Sequence, residues 1–125
     1  MKLFKILSTH YAPKDYHTAI DEFVVARNDM DVFLYLANGK AYWIDLFKDA
    51  KYYSEQGDME TAEELFEEFK DIYNNRGDER EVYDLYYGAT QYSWERVEVS
   101  DNTILQLMVD NKLAKKIDEY DSIEL

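Results

Sequence analysis

DMETAEELFEEFKDIYNNR, residues 58–76, carries the pattern on which the fold turns. Met59, Ala62, Leu65, Phe66, Phe69, Ile72 and Tyr73 recur at helical spacing and predict one buried helix face. Between them Glu60, Glu63, Glu64, Glu67, Glu68 and Asp71 make the opposite face almost purely negative. Asp58 stands where an N-cap belongs, and Gly57 suits the left-handed residue that ends a preceding helix. That helix is predicted over 41–56, with Trp43, Leu46, Phe47, Ala50 and Tyr53 on one stripe. Together the two make a helical hairpin over 41–76, closed by Arg76 near its negative pole and Gly77 just past it.

Working outward, Leu3, Phe4, Ile6 and Leu7 predict a strand over 2–8. THYAPKDYH (9–17) follows as an ordered turn or loop, because Pro13 fixes its own φ and disfavours helix at Ala12. IDEFVVAR (20–27) predicts a second strand, antiparallel to the first. Asn28 and Asp29 then cap a short helix over 30–37, and Asn38-Gly39 ends it with residues that tolerate positive φ. Beyond the hairpin, 78–84 is a charged connector, Gly88 marks a turn, and a third strand runs from Thr90 or Gln91 to Val99. Ser100-Asp101 caps a last helix with Ile104, Leu105, Leu107 and Met108; Asn111 suits its left-handed end. Lys112, Lys115 and Lys116 sit near its negative pole, and 118–125 is expected to fray. The order β-β-α-α-α-β-α predicts an α+β fold in one domain over 1–125, a small antiparallel sheet of about three strands covered by helices.

Composition narrows the function. The net charge of −13 is concentrated: residues 45–84 hold fourteen acidic against five basic side chains, whereas 1–40 hold five of each. Direct nucleic-acid binding is disfavoured, since phosphate neutralisation needs clustered Lys and Arg. Without Cys there is no disulfide or thiolate chemistry. His10 and His17 lie seven apart with no close ligand pair, so no metal and no cofactor is expected. The N-terminus is too short in apolar residues for a signal segment, and no run spans a bilayer. A soluble, cytoplasmic protein without membrane contact is the expectation. Twelve tyrosines suit core rims or a contact-making surface.

Two stretches rival the acidic helix as a site. THYAPKDYH (9–17) and LYYGATQYSWE (85–95) are both aromatic, and both adjoin a predicted strand. If those strands are neighbours, His10, Tyr11, Lys14, Tyr87, Thr90, Tyr92 and Trp94 line one concavity; otherwise they make an aromatic mini-core.

Two resemblances follow from these residues. YYSEQGDMETAEELFEEF (52–69) resembles one tetratricopeptide-repeat hairpin, but nothing else repeats at that period, so it marks only helix-turn-helix grammar. HYAPKD, IDEFVVARND and YYGATQYSWE together resemble a family of small, mostly uncharacterised proteins of phages and prophages of low-GC bacteria, with a pattern close to HYxPK…YYGxTxYxWE. Ser93 departs from the Gly expected there. The resemblance implies a viral or mobile-element origin and brings no assigned activity.

An acidic, cysteine-free chain of that implied origin points to a binding protein rather than an enzyme. The expected role is an anti-CRISPR-like inhibitor of a host defence or nucleic-acid-handling protein, acting in the host cytoplasm. Its basic partner would meet Glu60, Glu63, Glu64, Glu67, Glu68 and Asp71 in place of phosphates. The alternative is a small-molecule or nucleotide binder (a signal sponge) or an enzyme using the 9–17 and 85–95 concavity. There Lys14 would meet an anion and Trp94 or Tyr87 would stack on a base. A third option is a structural or regulatory phage protein acting through its tyrosines.

Overall fold

A computed structural model describes residues 1–12, 15–78 and 90–125, with the side chains of 11–16 outside that description. Strands β1 (Lys2–Ala12) and β2 (Asp15–Ala26) form a long antiparallel hairpin, and β3 (Thr90–Val97) pairs antiparallel with β1 on its other side. A two-residue strand, β4 (Lys115–Lys116), adds to β2 in parallel, giving the order β3-β1-β2-β4. The α+β class and the predicted order of elements hold, with this short parallel strand added. Its connection follows from geometry: parallel strands cannot be joined by a hairpin. Helix α4 (Asn102–Asp110) therefore crosses from the β3 edge to the β4 edge.

Period-two alternation assigns the two sheet faces. Phe4, Ile6, Val24, Ala26 and Trp94 look toward α1 (Asp29–Asn38), α2 (Ile44–Glu55) and α3 (Met59–Asn74). Leu3, Val25 and the half-buried Val97 look the other way, onto Leu105 and Ala114. The main core is aromatic. Phe33 of α1 sits at its middle, with ring centroids 4.9 Å from Phe69, 5.8 Å from Trp43 and 6.0 Å from Trp94.

Local chemistry sets most helix ends. Asn28 Oδ1 accepts from the Asp31 N–H at 2.9 Å, Asp58 Oδ1 from Thr61 at 3.2 Å, and Asp101 Oδ1 from Thr103 at 2.8 Å. Gly57, at φ 82°, makes the left-handed break between α2 and α3.

Several expected details differ. Residues 9–12 and 15–17 are strand, not loop, because β-favouring residues pair across the hairpin, with Thr9 Oγ1 2.6 Å from Thr18 Oγ1. Pro13 and Lys14, the connector beyond Asp78 and the turn at Gly88 lie outside the described residues. Helix α2 starts at Ile44, not 41: Tyr42 turns at φ 56° and delivers Trp43 into the core. Strand β3 ends at Val97 rather than Val99.

Two further assignments, of a glycine and an asparagine, shift as well. After α3, Arg76 takes the left-handed conformation at φ 56°. Gly77, just past the helix as expected, is needed for close approach, since a Cβ there would lie 2.5 Å from Ser93 Cβ across an isolated bridge. Gly39 takes φ −116° rather than a positive value, and Lys112 (φ 59°) replaces Asn111 as the left-handed residue after α4. Lys115 and Lys116 are drawn into β4 rather than the helix pole.

The 118–125 segment, expected to fray, has no regular structure, yet Tyr120, Ile123 and Leu125 pack on the main core. Its anchor is the buried Asp31. That carboxylate takes hydrogen bonds from Arg27 Nε (2.6 Å), Arg27 Nη2 (2.9 Å) and the Tyr120 N–H (3.2 Å). The Arg27 hydrogen bonds hold the Asp31 carboxyl below its ordinary range, against an opposing push from burial.

Candidate functional site

Helix α3 is amphipathic as predicted, but its two halves are covered unequally. Ala62, Phe69 and Ile72 are buried, Leu65, Phe66 and Tyr73 are half-buried, and Met59 remains 52% exposed. The face expected to be buried throughout is fully enclosed at Ala62, Phe69 and Ile72 but not at Met59, Leu65 and Phe66. Met59, Leu65 and Phe66 lie outside the core cluster that holds Phe69 and Ile72.

The structure brings the six carboxylates together. Glu60, Glu63, Glu64, Glu67, Glu68 and Asp71 all line one open cleft of about 630 Å³, which continues past Asn75 to Asp78. Five are exposed and Glu68 is half-buried. No Lys or Arg among the described residues lines that cleft.

The 9–17 and 85–95 residues come together only in part. Strands β1 and β3 are neighbours, and His10 pairs opposite Thr90, Ser8 opposite Tyr92 and Ile6 opposite Trp94. His10 Nδ1 lies 3.1 Å from Thr90 Oγ1 at the exposed end of this row. Tyr92, midway, is half-buried; burial, followed by the Asp21 carboxylate, pushes its phenol above the ordinary range. Trp94 is enclosed in the core, and its Nε1–H donates to Asp29 Oδ1 at 2.9 Å. The backbone of Tyr11 lies in β1, while Lys14 and Tyr87 fall outside the described residues.

A third feature went unread in the sequence. Between α2 and α3, near the hairpin tip, runs a groove of about 420 Å³ floored by Phe47, Ala50, Met59, Ala62 and Phe66. Glu63 and Glu67 belong to both depressions, forming the ridge between the acidic cleft and the apolar groove. The available signal was the length of the apolar stripe from Met59 to Tyr73 relative to the small sheet that could cover it.

Among the described residues no group of His, Asp and Glu is arranged to hold a metal ion, and no helix is long and apolar enough to cross a membrane. The chain is similar to YoqY, an SPbeta prophage-derived uncharacterized protein of Bacillus subtilis (strain 168). The two are 27% identical over 117 residues, covering 78% of this chain and 83% of that protein. This likeness agrees with the prophage resemblance and leaves the HYxPK…YYGxTxYxWE pattern itself untouched. No known family model and no solved structure matches the chain.

Proposed function

We propose that this is a phage-type inhibitor that occupies a basic groove on a host defence or nucleic-acid-handling protein, with the carboxylates of α3 standing where phosphates would bind. The supporting observation is the single cleft shared by all six carboxylates. From Glu60 to Asp71 the helix rises about 16 Å, so these charges fall about 3 Å apart along its axis. One strand of duplex DNA carries a phosphate about every 3.4 Å. A partner shaped for a nucleic-acid backbone therefore meets a similar linear charge density. The prophage likeness supports the origin such an inhibitor requires.

A ligand site around His10 and Tyr92 has less support, because Trp94, one of the two residues expected to stack on a ligand, is enclosed in the core, while the other, Tyr87, lies outside the described residues. The test is capture of a partner from a bacterial host lysate at low and at high salt. Binding should fall as salt rises, and Glu63→Lys with Glu67→Lys should weaken it about tenfold or more. Unchanged affinity in that double variant overturns the proposal.

A further inference from the structure

The acidic cleft accounts for only one side of the ridge made by Glu63 and Glu67. On the other side lies the α2–α3 groove, whose floor is apolar: Phe47, Ala50, Met59, Ala62 and Phe66. Two properties of this groove are unusual for an ordinary helix–helix seam. Its apolar residues continue the stripe that α3 buries further along, yet Met59 is 52% exposed and Phe66 only half-buried. Its rim is charged with one sign in excess: Glu55, Glu63 and Glu67 stand around it, and Lys51 is the one cation in its lining among the described residues.

An apolar trough edged by carboxylates is complementary to an amphipathic helix whose apolar residues, at three- and four-residue spacing, are flanked by Lys or Arg. We infer that the tip of the α2–α3 hairpin binds a basic amphipathic helix of the partner protein. The apolar side chains of that helix fill the groove while its cations meet Glu63 and Glu67. This rests on the proposed function and deepens it: the partner is held by apolar anchors as well as by charge. Purely electrostatic attachment would be lost at high salt, whereas a buried apolar anchor retains binding there.

Met59→Glu separates the two contributions by sign. It adds a negative charge to an acidic face, so charge attraction alone predicts equal or tighter binding of a cationic partner. It also places a carboxylate on the apolar floor, so a seated helix must be weakened. Folding should survive, because a Glu in the first turn of α3 is favoured there and the Asp58 cap is untouched.

The probe is a fluorescein-labelled peptide of leucine and lysine, about 18 residues or five helical turns, compared by anisotropy with a scrambled isomer of the same composition. Both are titrated with the full chain. The amphipathic isomer should bind about tenfold tighter than the scrambled one. Met59→Glu should remove that preference, and Met59→Leu should keep it.

Equal binding of the isomers, or a preference untouched by Met59→Glu, overturns the inference. If Glu63→Lys with Glu67→Lys still weakens both isomers, the proposed function survives that failure; if the double variant changes neither, the proposed function falls as well. A homodimer that Met59→Glu dissociates assigns the groove to a second copy of this chain and likewise overturns the inference.

Discussion

The two halves of α3 carry the same apolar stripe and the same acidic opposite face, but the fold treats them differently. In the C-terminal half Phe69 is fully enclosed, 4.9 Å from the Phe33 ring and 5.4 Å from Phe47. In the N-terminal half Met59 and Phe66 border a groove that, among the described residues, only α2 shares. Hydrophobic periodicity therefore measures a helix's capacity to bury a face. Whether that face is covered depends on how far the neighbouring layer reaches, and here the main core takes in Phe69 and Ile72 but not Met59, Leu65 or Phe66.

The most direct way to break this comparison is to truncate one side chain in each half. Phe69→Ala leaves a large cavity among packed rings and should cost about 3–5 kcal/mol of stability. Met59→Ala removes an exposed side chain and should cost less than about 1 kcal/mol. Urea denaturation of both variants measures the difference. Comparable losses would mean that the tip is as well packed as the core, and the unequal coverage of α3 would be meaningless.

The same contrast explains what the sequence made legible. The hairpin, its Asp58 cap, the Gly57 break and the acidic stripe were all readable because each depends on local spacing or backbone chemistry. The continuation of β1 and β2 through 9–12 and 15–17 was not, since Pro13 marks the stretch as a turn or loop and only cross-strand pairing carries the strands up to Ala12 and on from Asp15. Trp43 reads as part of a helix stripe, and Trp94 as lining either a concavity or an aromatic mini-core. Trp43 stands just before α2, and both rings enter the main core around Phe33. The docked tail depends on Tyr120 meeting Asp31, 89 residues away, which no local pattern encodes. For the site, the six carboxylates could be named in advance, while the apolar groove beside them could not, because its existence depends on where the covering layer ends.

Asp31 sharpens the comparison from the covered side, since it anchors α1 and the tail to the layer that encloses Phe69. Its folded pKa is depressed below the ordinary 3.8, first by the Arg27 hydrogen bonds. The stability it contributes is thus fully present above about pH 4. It is lost as the pH falls through the lower folded value. Asp31→Asn should cost about 1–3 kcal/mol at neutral pH, and no more because Arg27 is 39% exposed. Denaturation of both proteins from pH 7 downward should show their difference shrinking below about pH 4. A difference constant across that range would remove Asp31 ionisation as the source.

The smallest effect expected concerns the acidic face, and it has the opposite sign. Glu64 lies four residues from Glu60 and Glu68 and three from Glu67, so Glu64→Gln relieves three like-charge pairs, each worth at most about 0.2–0.5 kcal/mol. The variant should be slightly more stable at low salt, and the gain should vanish near 1 M salt, where the screening length is about 3 Å. If it were instead less stable, the carboxylates would be making favourable contacts within the chain. Their accumulation would then serve the fold, and the cleft they line would lose its standing as a partner's docking face. A small, salt-sensitive gain means that helix α3 tolerates repulsion which a single neutral substitution relieves, consistent with a negative field that serves something outside the fold.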